Sequence, residues 1–279
     1  MTITNEQISA FESRLIRDEA AFSTVKRYTG IVREFSAFLG ERALTKEMLL
    51  VWREGLHSTP STANVAAAAI NRFLVFLGLE HMTLKYLKVQ RRLFRPAEKE
   101  LTKEEYVKLV ETAEKLKKTR LARAIETICA LGIRVSELRF LTVEALKGKS
   151  ITIRNKGKIR TILLSADLVR KLKNYVREAG IREGEVFVTK SGRSLSRMQL
   201  WAEMKNLCEK AGVDAEKVFP HNLRHLFALT HYRLHRDIVK LADILGHSSV
   251  DTTRIYLIMS GEEHRKELDA LGLVLGCRI

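Results

Sequence analysis

The chain has 279 residues, a length at which a single core usually stops growing, so we expect two domains. Hydrophobic residues make up 46% of it, which is ordinary for a folded globule, while lysine and arginine outnumber aspartate and glutamate by 49 to 33. The resulting formal charge of +16 favours a polyanionic partner, nucleic acid ahead of an anionic membrane, with a solvated charged surface as the simpler alternative.

Targeting signals and metal motifs are missing from the sequence. No stretch is apolar enough to span a bilayer, and the start, MTITNEQISAFESRLIRDEA, lacks the apolar core of a signal peptide. Cys129, Cys208 and Cys277 have no metal-type spacing and fit packing positions in a reducing compartment. We therefore expect a cytoplasmic protein that uses no membrane, metal or other cofactor.

The first ninety or so residues are predicted to be helical. In STVKRYTGIVREFSAFLG, apolar residues recur at helical spacing, with Ser23 or Thr24 as a possible cap and Gly40 at the end. STANVAAAAINRFLVFLGLE predicts a second helix, which opens after Pro60 and closes at Gly78. Both runs predict small amphipathic helices with basic faces.

The stretch VQRRLFRPAEKE has three arginines, a proline and no clear periodicity, and it marks the predicted boundary between domains 1–95 and 96–279. Helices are expected after Thr102, which forms a capping box with Glu105, and after the caps Ser165 and Ser196. ITIR, NKGK and IRTILL predict a hairpin, and EVFV a third strand. The fold class is therefore mainly α with a small antiparallel β-sheet.

Two segments of the second domain carry unusual basic residues. In ALGIRVSELRFL, Arg134 lies between apolar segments and needs a fixed anionic partner, so the choice is between a buried pair with Glu137 and a functional site. In NKGKIR, Lys156 stands beside Gly157 on a hairpin, where a solvated turn residue is the usual interpretation.

Two later segments carry histidine. In PHNLRHLF, His221 and Arg224 share a face on the first turn of a helix, which favours a bound anion over bare surface charge. In ILGHSSVDTTRIYLIM, His247 follows a helix end and Tyr256 lies on the next helix. Taken singly, such a histidine is usually a cap or core residue and such a tyrosine is usually core.

The order of these segments carries more information than any one of them. Arginine, a hairpin lysine, HxxR, GH and then tyrosine resembles the tyrosine recombinase, or phage integrase, family, including its Xer-like members. The resemblance rests on LTKEEY, GIRVSEL, NKGKIR, PHNLRH and LGHSSVDTTRIY, and it extends along nearly the whole chain. It implies a helical, SAM-like core DNA-binding domain followed by a mixed catalytic domain with a C-terminal tail.

The resemblance also implies roles for single residues. Tyr256 would attack a DNA phosphodiester and form a covalent 3′-phosphotyrosyl intermediate, while Arg134 and Arg224 would hold the non-bridging oxygens. Lys156 would protonate the 5′-oxygen, with Lys158 as the alternative because KGKIR is about one residue shorter than many family hairpins. The remaining family positions are occupied by His221 and His247, which assist with the phosphate and proton transfer, and by Glu137, which supports the site.

The implied function is site-specific recombination of double-stranded DNA at short inverted-repeat core sites, without metal or ATP. A free monomer would assemble with other protomers into a tetramer on two sites. Two alternatives remain at this point: a non-catalytic regulator or architectural protein on the same scaffold, and a type IB topoisomerase-like enzyme that nicks and reseals one duplex. The apolar tail, 263–279, is expected to dock, either on its own domain or on a neighbouring protomer.

Overall fold

The fold is known from a computed structural model, which describes residues 2–56, 58–89, 100–155, 158–189, 191–257, 265, 268–271 and 273. The chain divides into two compact units, Met1–Arg91 and Arg92–Ile279. The boundary predicted between residues 95 and 96 lies outside the described residues, as do Lys156 and most of the tail. Mainly helical structure with a small antiparallel sheet is confirmed.

The first unit is helical in all its described regular elements. Thr4 and Gln7 form a capping box before α1, and Thr59 caps α4, where Pro60 occupies the first turn. The caps expected for the helix Phe22–Leu39, Ser23 or Thr24, were wrong by two or three residues, because the Ala21 carbonyl already accepts from the backbone N–H groups of Thr24 and Val25. The elements are α1 Asn5–Arg17, α2 Phe22–Leu39, α3 Lys46–Gly55, α4 Pro60–Phe76 and a 3₁₀ helix, Glu80–Met82.

Apolar faces of these helices meet in one core. Phe11 contacts Phe73 edge to face at 5.2 Å between ring centroids, and Phe35 contacts Trp52 at 5.1 Å. The segment after α4 is held along it by Asn71, whose amide oxygen accepts from the Leu84 N–H and whose amide nitrogen donates to the Leu84 carbonyl. The first unit therefore has a core of its own.

The second unit surrounds helix α6 with the other elements. The capping box of Thr102 and Glu105 and the caps Ser165 and Ser196 are confirmed. The elements are α5 Lys103–Lys115, α6 Thr119–Leu131, a 3₁₀ helix Val135–Phe140, α7 Val143–Gly148, β1 Ser150–Asn155, β2 Lys158–Leu163, α8 Ala166–Glu178, α9 Arg197–Ala211, α10 Pro220–His235, α11 Ile238–Leu245, α12 Val250–Arg254 and a 3₁₀ helix Ile255–Leu257.

Strands β1 and β2 pair antiparallel, with Ile151 opposite Ile162 and Ile153 opposite Arg160. Ile151 and Ile153 are buried while Arg154 is exposed, as the two-residue alternation of a half-buried strand requires. The third strand predicted at EVFV is wrong for the described residues. Its residues form only isolated bridges, Thr142 with Glu185 and Val188 with Ser194.

Two consecutive side chains explain this difference. Val186 and Phe187 are both buried, so the segment fills the core on both sides and does not alternate between core and solvent. The Val186 N–H donates to Leu141 and the Phe187 carbonyl accepts from Leu195, so the backbone pairs with two separate loops. None of the helices in the described part of the chain is long and apolar enough to cross a bilayer.

Candidate active site

Arg224 lies near the start of α10 and is only 1% exposed. Its Nη1 donates to the Gly132 carbonyl at 2.6 Å and its Nη2 to the Leu245 carbonyl at 2.8 Å. Both carbonyls stand at helix C-termini, where α6 and α11 end on Gly132 and Gly246 in the left-handed conformation. Helix C-termini carry partial negative charge, so they stabilise the buried guanidinium.

Burial lowers the pKa of Arg224 to about 10, and the nearby charge of Arg134 acts in the same direction. Tyr256, through charge and a side-chain hydrogen bond, and Glu137, through charge, act in the opposite direction. The guanidinium is therefore still charged at neutral pH. It combines a permanent positive charge with a fixed position, which is what recognition of an anionic oxygen requires.

Glu137 joins three arginines. This carboxylate is 1% exposed and accepts from the Arg134 backbone N–H at 2.7 Å, from Arg134 Nη1 at 3.1 Å and from Arg160 Nη2 at 2.8 Å. Arg224 Nη1 lies 3.9 Å away. The predicted pair of Arg134 and Glu137 thus exists, but the Arg134 side chain is 40% exposed, so the ion pair leaves its guanidinium accessible.

His247 follows Gly246 and contacts Arg224. Its Nε2 lies 2.9 Å from Arg224 Nη2, and its Nδ1 lies 2.8 Å from Thr253 Oγ1. Because a guanidinium can only donate, Nε2 accepts and the ring proton resides on Nδ1, which donates to the threonine hydroxyl. One tautomer of the imidazole is therefore fixed from both sides.

Burial lowers the pKa of His247 to about 4, and the charges of Arg224, Arg134, Arg160 and His221 act in the same direction. The imidazole is therefore neutral at neutral pH. A neutral ring is the form that can accept the hydrogen bond from Arg224, since a protonated ring would present a second donor to it.

Tyr256 is 6% exposed and packs in a small apolar cluster with Ala228, Leu241 and Leu245. Its ring stacks on the His247 ring at 5.7 Å between centroids and an angle of 6°. Tyr256 is therefore both a core residue, through its apolar neighbours, and a neighbour of the predicted site residue His247. Tyr256 lies on the 3₁₀ helix that directly follows α12, within the helical stretch expected for it.

The structure brings five of the seven predicted site residues into one connected network, Arg134, Glu137, Arg224, His247 and Tyr256. His221, exposed at the start of α10, adjoins it with its ring 5.4 Å from that of Tyr256. Lys156 lies outside the described residues. Its alternative, Lys158, begins β2, but the description does not extend to its side chain.

Sequence reasoning missed three residues at this site: Arg160, Thr253 and His225. Arg160 binds Glu137, Thr253 orients His247, and the buried His225 lies with its ring 5.5 Å from that of Tyr256 and its Nε2 3.3 Å from Glu100 Oε1. The sequence contained a weak signal for two of them, because Thr253 in DTTRIY and His225 in HNLRH are polar residues within one helical turn of predicted site residues.

The assembled charges favour an anion. Three guanidinium groups, of Arg134, Arg160 and Arg224, surround the single carboxylate of Glu137, which leaves a positive excess next to Tyr256. Within the described ranges, no group of three or more His, Cys, Asp and Glu side chains could hold a metal ion. The arrangement can bind a phosphate group and place a tyrosine hydroxyl beside it.

Comparisons with known proteins identify the family of this chain. The family model described as the phage integrase family matches residues 99–262. Tyrosine recombinase XerA of Thermococcus kodakarensis is 30% identical over 98% of both chains, and XerA of Pyrococcus furiosus is 29% identical over 98% of this chain and 96% of that one. A crystal structure of XerA recombinase is 26% identical, with a TM-score of 0.54 over 98% of this chain and 100% of that one.

A fourth comparison supports the fold alone. XerH in a post-cleavage complex with palindromic difH substrate superposes with a TM-score of 0.72, at 21% identity, over 96% of this chain and 89% of that one. Fold, site and comparisons define a DNA-strand-transfer enzyme with a tyrosine at its centre. The chain belongs to the phage integrase family, as a tyrosine recombinase that performs site-specific DNA recombination. The alternative of a non-catalytic regulator is not favoured.

Proposed function

We propose that Tyr256 is the nucleophile of this recombinase. Its Oη attacks the phosphorus of a DNA phosphodiester, the bond to the 5′-oxygen breaks, and a 3′-phosphotyrosyl bond forms. Attack by a 5′-hydroxyl on that bond releases Tyr256 and joins the strands, so the energy of the linkage is kept and no ATP is consumed. One observation carries the proposal: Tyr256 is stacked on His247, which accepts a hydrogen bond from the buried Arg224.

Arg134 and Arg224 hold the non-bridging oxygens. The accessible guanidinium of Arg134 offers a two-point contact, and Arg224 brings a fixed charge. Arg224 Nε is buried with no hydrogen-bond partner among the described residues, and such a donor is costly until an oxygen reaches it. A phosphate oxygen would relieve that cost at the moment of binding.

Proton transfer belongs to the lysine and histidine residues. Lys156, or Lys158 in its place, protonates the departing 5′-oxygen. His221 and His247 adjoin the Tyr256 ring and assist activation of its hydroxyl, a role in which His247 accepts a proton only when Nε2 is released from Arg224. Glu137 does not react. Its hydrogen bonds orient Arg134.

The two domains have different roles in the reaction. The helical residues 1–95 bind the core DNA site, and residues 96–279 cut and rejoin it. Strand exchange takes place between two short inverted-repeat sites in a tetramer assembled from free monomers. Solved relatives support this assembly, because lambda integrase is seen as a tetramer bound to a Holliday junction and as a dimer bound to a core site. A topoisomerase-like reaction on one duplex shares the cleavage step, and a two-site strand-exchange assay separates the two.

The test of the nucleophile is covalent trapping on a nicked suicide substrate. Tyr256→Phe removes one hydroxyl and should abolish the covalent protein–DNA band while half-site binding persists. Tyr232→Phe is the matched control, because Tyr232 packs against the same apolar cluster and should form the band normally. A covalent band with Tyr256→Phe would refute the assignment.

A further inference from the structure

Arg160 lies inside the site. It is the last residue of the motif NKGKIR, but sequence reasoning assigned it no role and the proposed chemistry does not use it. It stands on β2 opposite Ile153, and its side chain is 16% exposed. An arginine on a hairpin ordinarily extends into solvent, as the neighbouring exposed Arg154 does. The burial of this one requires an explanation.

Two contacts fix the Arg160 side chain. Its Nη2 donates to Glu137 Oε2 at 2.8 Å, the same oxygen that accepts from the Arg134 backbone N–H. The second terminal nitrogen of the guanidinium, Nη1, lies against the turn after α11. A Cβ atom built on Gly246 would be 2.0 Å from this nitrogen. Gly246 directly precedes His247, so Arg160 contacts both the arginine–glutamate pair and the turn that presents the histidine.

These contacts connect three separate parts of the chain. Glu137 belongs to the 3₁₀ helix after α6, Gly246 ends α11, and Arg160 belongs to the hairpin. Among the described residues the backbone of β2 pairs as a strand with β1, so the Arg160 side chain is a direct tie from β2 to the site. In the sequence Lys156 stands between the end of β1 and the start of β2, and β2 begins at Lys158, two residues before Arg160.

We propose that Arg160 is a positioning residue of the reaction, which fixes the lysine-bearing hairpin against the Glu137–Arg134 pair and the Gly246–His247 turn. The inference rests on the proposed function, in which a lysine of this hairpin protonates the leaving 5′-oxygen. Arg160 itself transfers no proton and makes no bond to the DNA in this role. Its loss therefore slows cleavage by hindering protonation of the departing 5′-oxygen, and leaves the tyrosine and the arginines that hold the phosphate in place.

The test uses the full-length protein with Arg160→Gln, and Arg154→Gln as the matched control. Both substitutions remove one positive charge from the same hairpin, so both should weaken half-site binding to a similar extent. On ordinary DNA, Arg160→Gln should form the covalent complex about 10- to 100-fold more slowly in a single turnover, because a displaced catalytic group costs rates of this order. Arg154→Gln should stay within about threefold of the unmodified protein.

The decisive measurement replaces the bridging 5′-oxygen of the DNA with sulfur. A thiolate departs without an acid, so Arg160→Gln should return to within about threefold of the unmodified protein on this substrate. An equal defect on both substrates would mean that Arg160 supports the phosphate-binding arginines and would overturn the proposal. Cleavage of ordinary DNA at the rate of Arg154→Gln would overturn it as well.

Two further variants separate this inference from the proposed function. Lys156→Ala and Lys158→Ala are measured on the same pair of substrates. If the sulfur substrate restores cleavage by a lysine variant but not by Arg160→Gln, the role of Arg160 is wrong and the proposed function stands. If it restores cleavage by neither lysine variant, the assignment of a hairpin lysine as the acid is wrong. Should thermal melting show that Arg160→Gln does not fold, Arg160→Lys carries the comparison, since it keeps the charge beside Glu137 and loses the two-directional contact.

Discussion

At the scale of single residues, Arg134 and Arg224 carry the same charge in different surroundings. Arg134 is 40% exposed and bound to Glu137, while Arg224 is 1% exposed and bound to two backbone carbonyls and His247. Arg134 can therefore meet the DNA directly. Arg224 acts from a fixed position within the fold.

Arg134→Lys should reduce cleavage strongly although the charge is kept. A lysine offers a point charge without the planar fork that binds two phosphate oxygens, so we expect a loss of about 100-fold in the single-turnover rate. Arg139→Lys is the control, because Arg139 is exposed on the same 3₁₀ helix. Near-normal cleavage by Arg134→Lys would reduce Arg134 to a structural partner of Glu137.

His247 should make the protein less stable in acid. Its folded-state pKa of about 4 lies below the ordinary histidine value of 6.5, so between these pH values the unfolded chain binds a proton that the folded chain does not. The free energy of unfolding should therefore fall as pH drops through this window, with a contribution of about 1–2 kcal/mol from His247. Urea titrations at several pH values measure this, and His247→Gln should flatten the dependence. An unchanged slope in the variant would contradict the neutral buried imidazole.

Sequence order was sufficient to find most of the residues assigned to the site, because Arg134, Arg224, His247 and Tyr256 stand in motifs with a fixed succession. Arg160 also stands in a motif, NKGKIR, but its place in the site could not be found in this way. Its burial depends on Glu137 and Gly246, which are distant in sequence, and an arginine on a hairpin is usually solvated. The tautomer of His247 likewise depends on Arg224 and Thr253, a three-way contact that spacing alone does not specify.

At the scale of elements, helix ends determine the position of Arg224. Gly132 has a φ of +60°, and a Cβ there would lie 2.3 Å from Phe227. The turn at Gly132 also presents the carbonyl that accepts from Arg224 Nη1. A change in this turn should therefore affect both stability and the site.

Gly132→Ala should destabilise the protein more than Gly180→Ala. Both glycines have positive φ, at +60° and +68°, but nothing lies within 4 Å of a Cβ at Gly180. The control should lose about 1 kcal/mol from backbone strain, and Gly132→Ala a further 1–3 kcal/mol from the contact with Phe227. Denaturant unfolding of both variants measures the difference. Equal losses would mean that Phe227 moves aside at no cost.

Local chemistry predicted helix starts well and strands less well. Thr102, Ser165 and Ser196 cap their helices as expected, because a cap depends on atoms within three residues. EVFV failed because its apolar pattern suits a buried segment of any kind, and its partners, Leu141 and Leu195, are loop residues. Tyr256 was placed on the right helical stretch, of which α12 ends at Arg254 and a 3₁₀ helix carries the tyrosine.

At the scale of the whole molecule, the charge of +16 predicts how binding responds to salt. Each phosphate contact releases counterions, so half-site affinity should fall by at least about 1000-fold between roughly 50 and 200 mM salt if six or more phosphates are contacted. Fluorescence anisotropy with a labelled half-site gives the slope of log affinity against log salt. A flat plot would contradict DNA binding through the basic surface.

The anchoring of Arg224 also bears on how this chain can evolve. Arg224 ties the ends of two helices together, so its loss would leave two carbonyls and His247 without their donor in a buried place, whatever happens to catalysis. A descendant that had ceased to recombine DNA would no longer need Tyr256 or Arg134 for chemistry, but it would still need Arg224 to fold. Among degenerate copies of such a gene, the retained arginine of HNLRH is therefore a record of ancestry and not a sign of surviving activity.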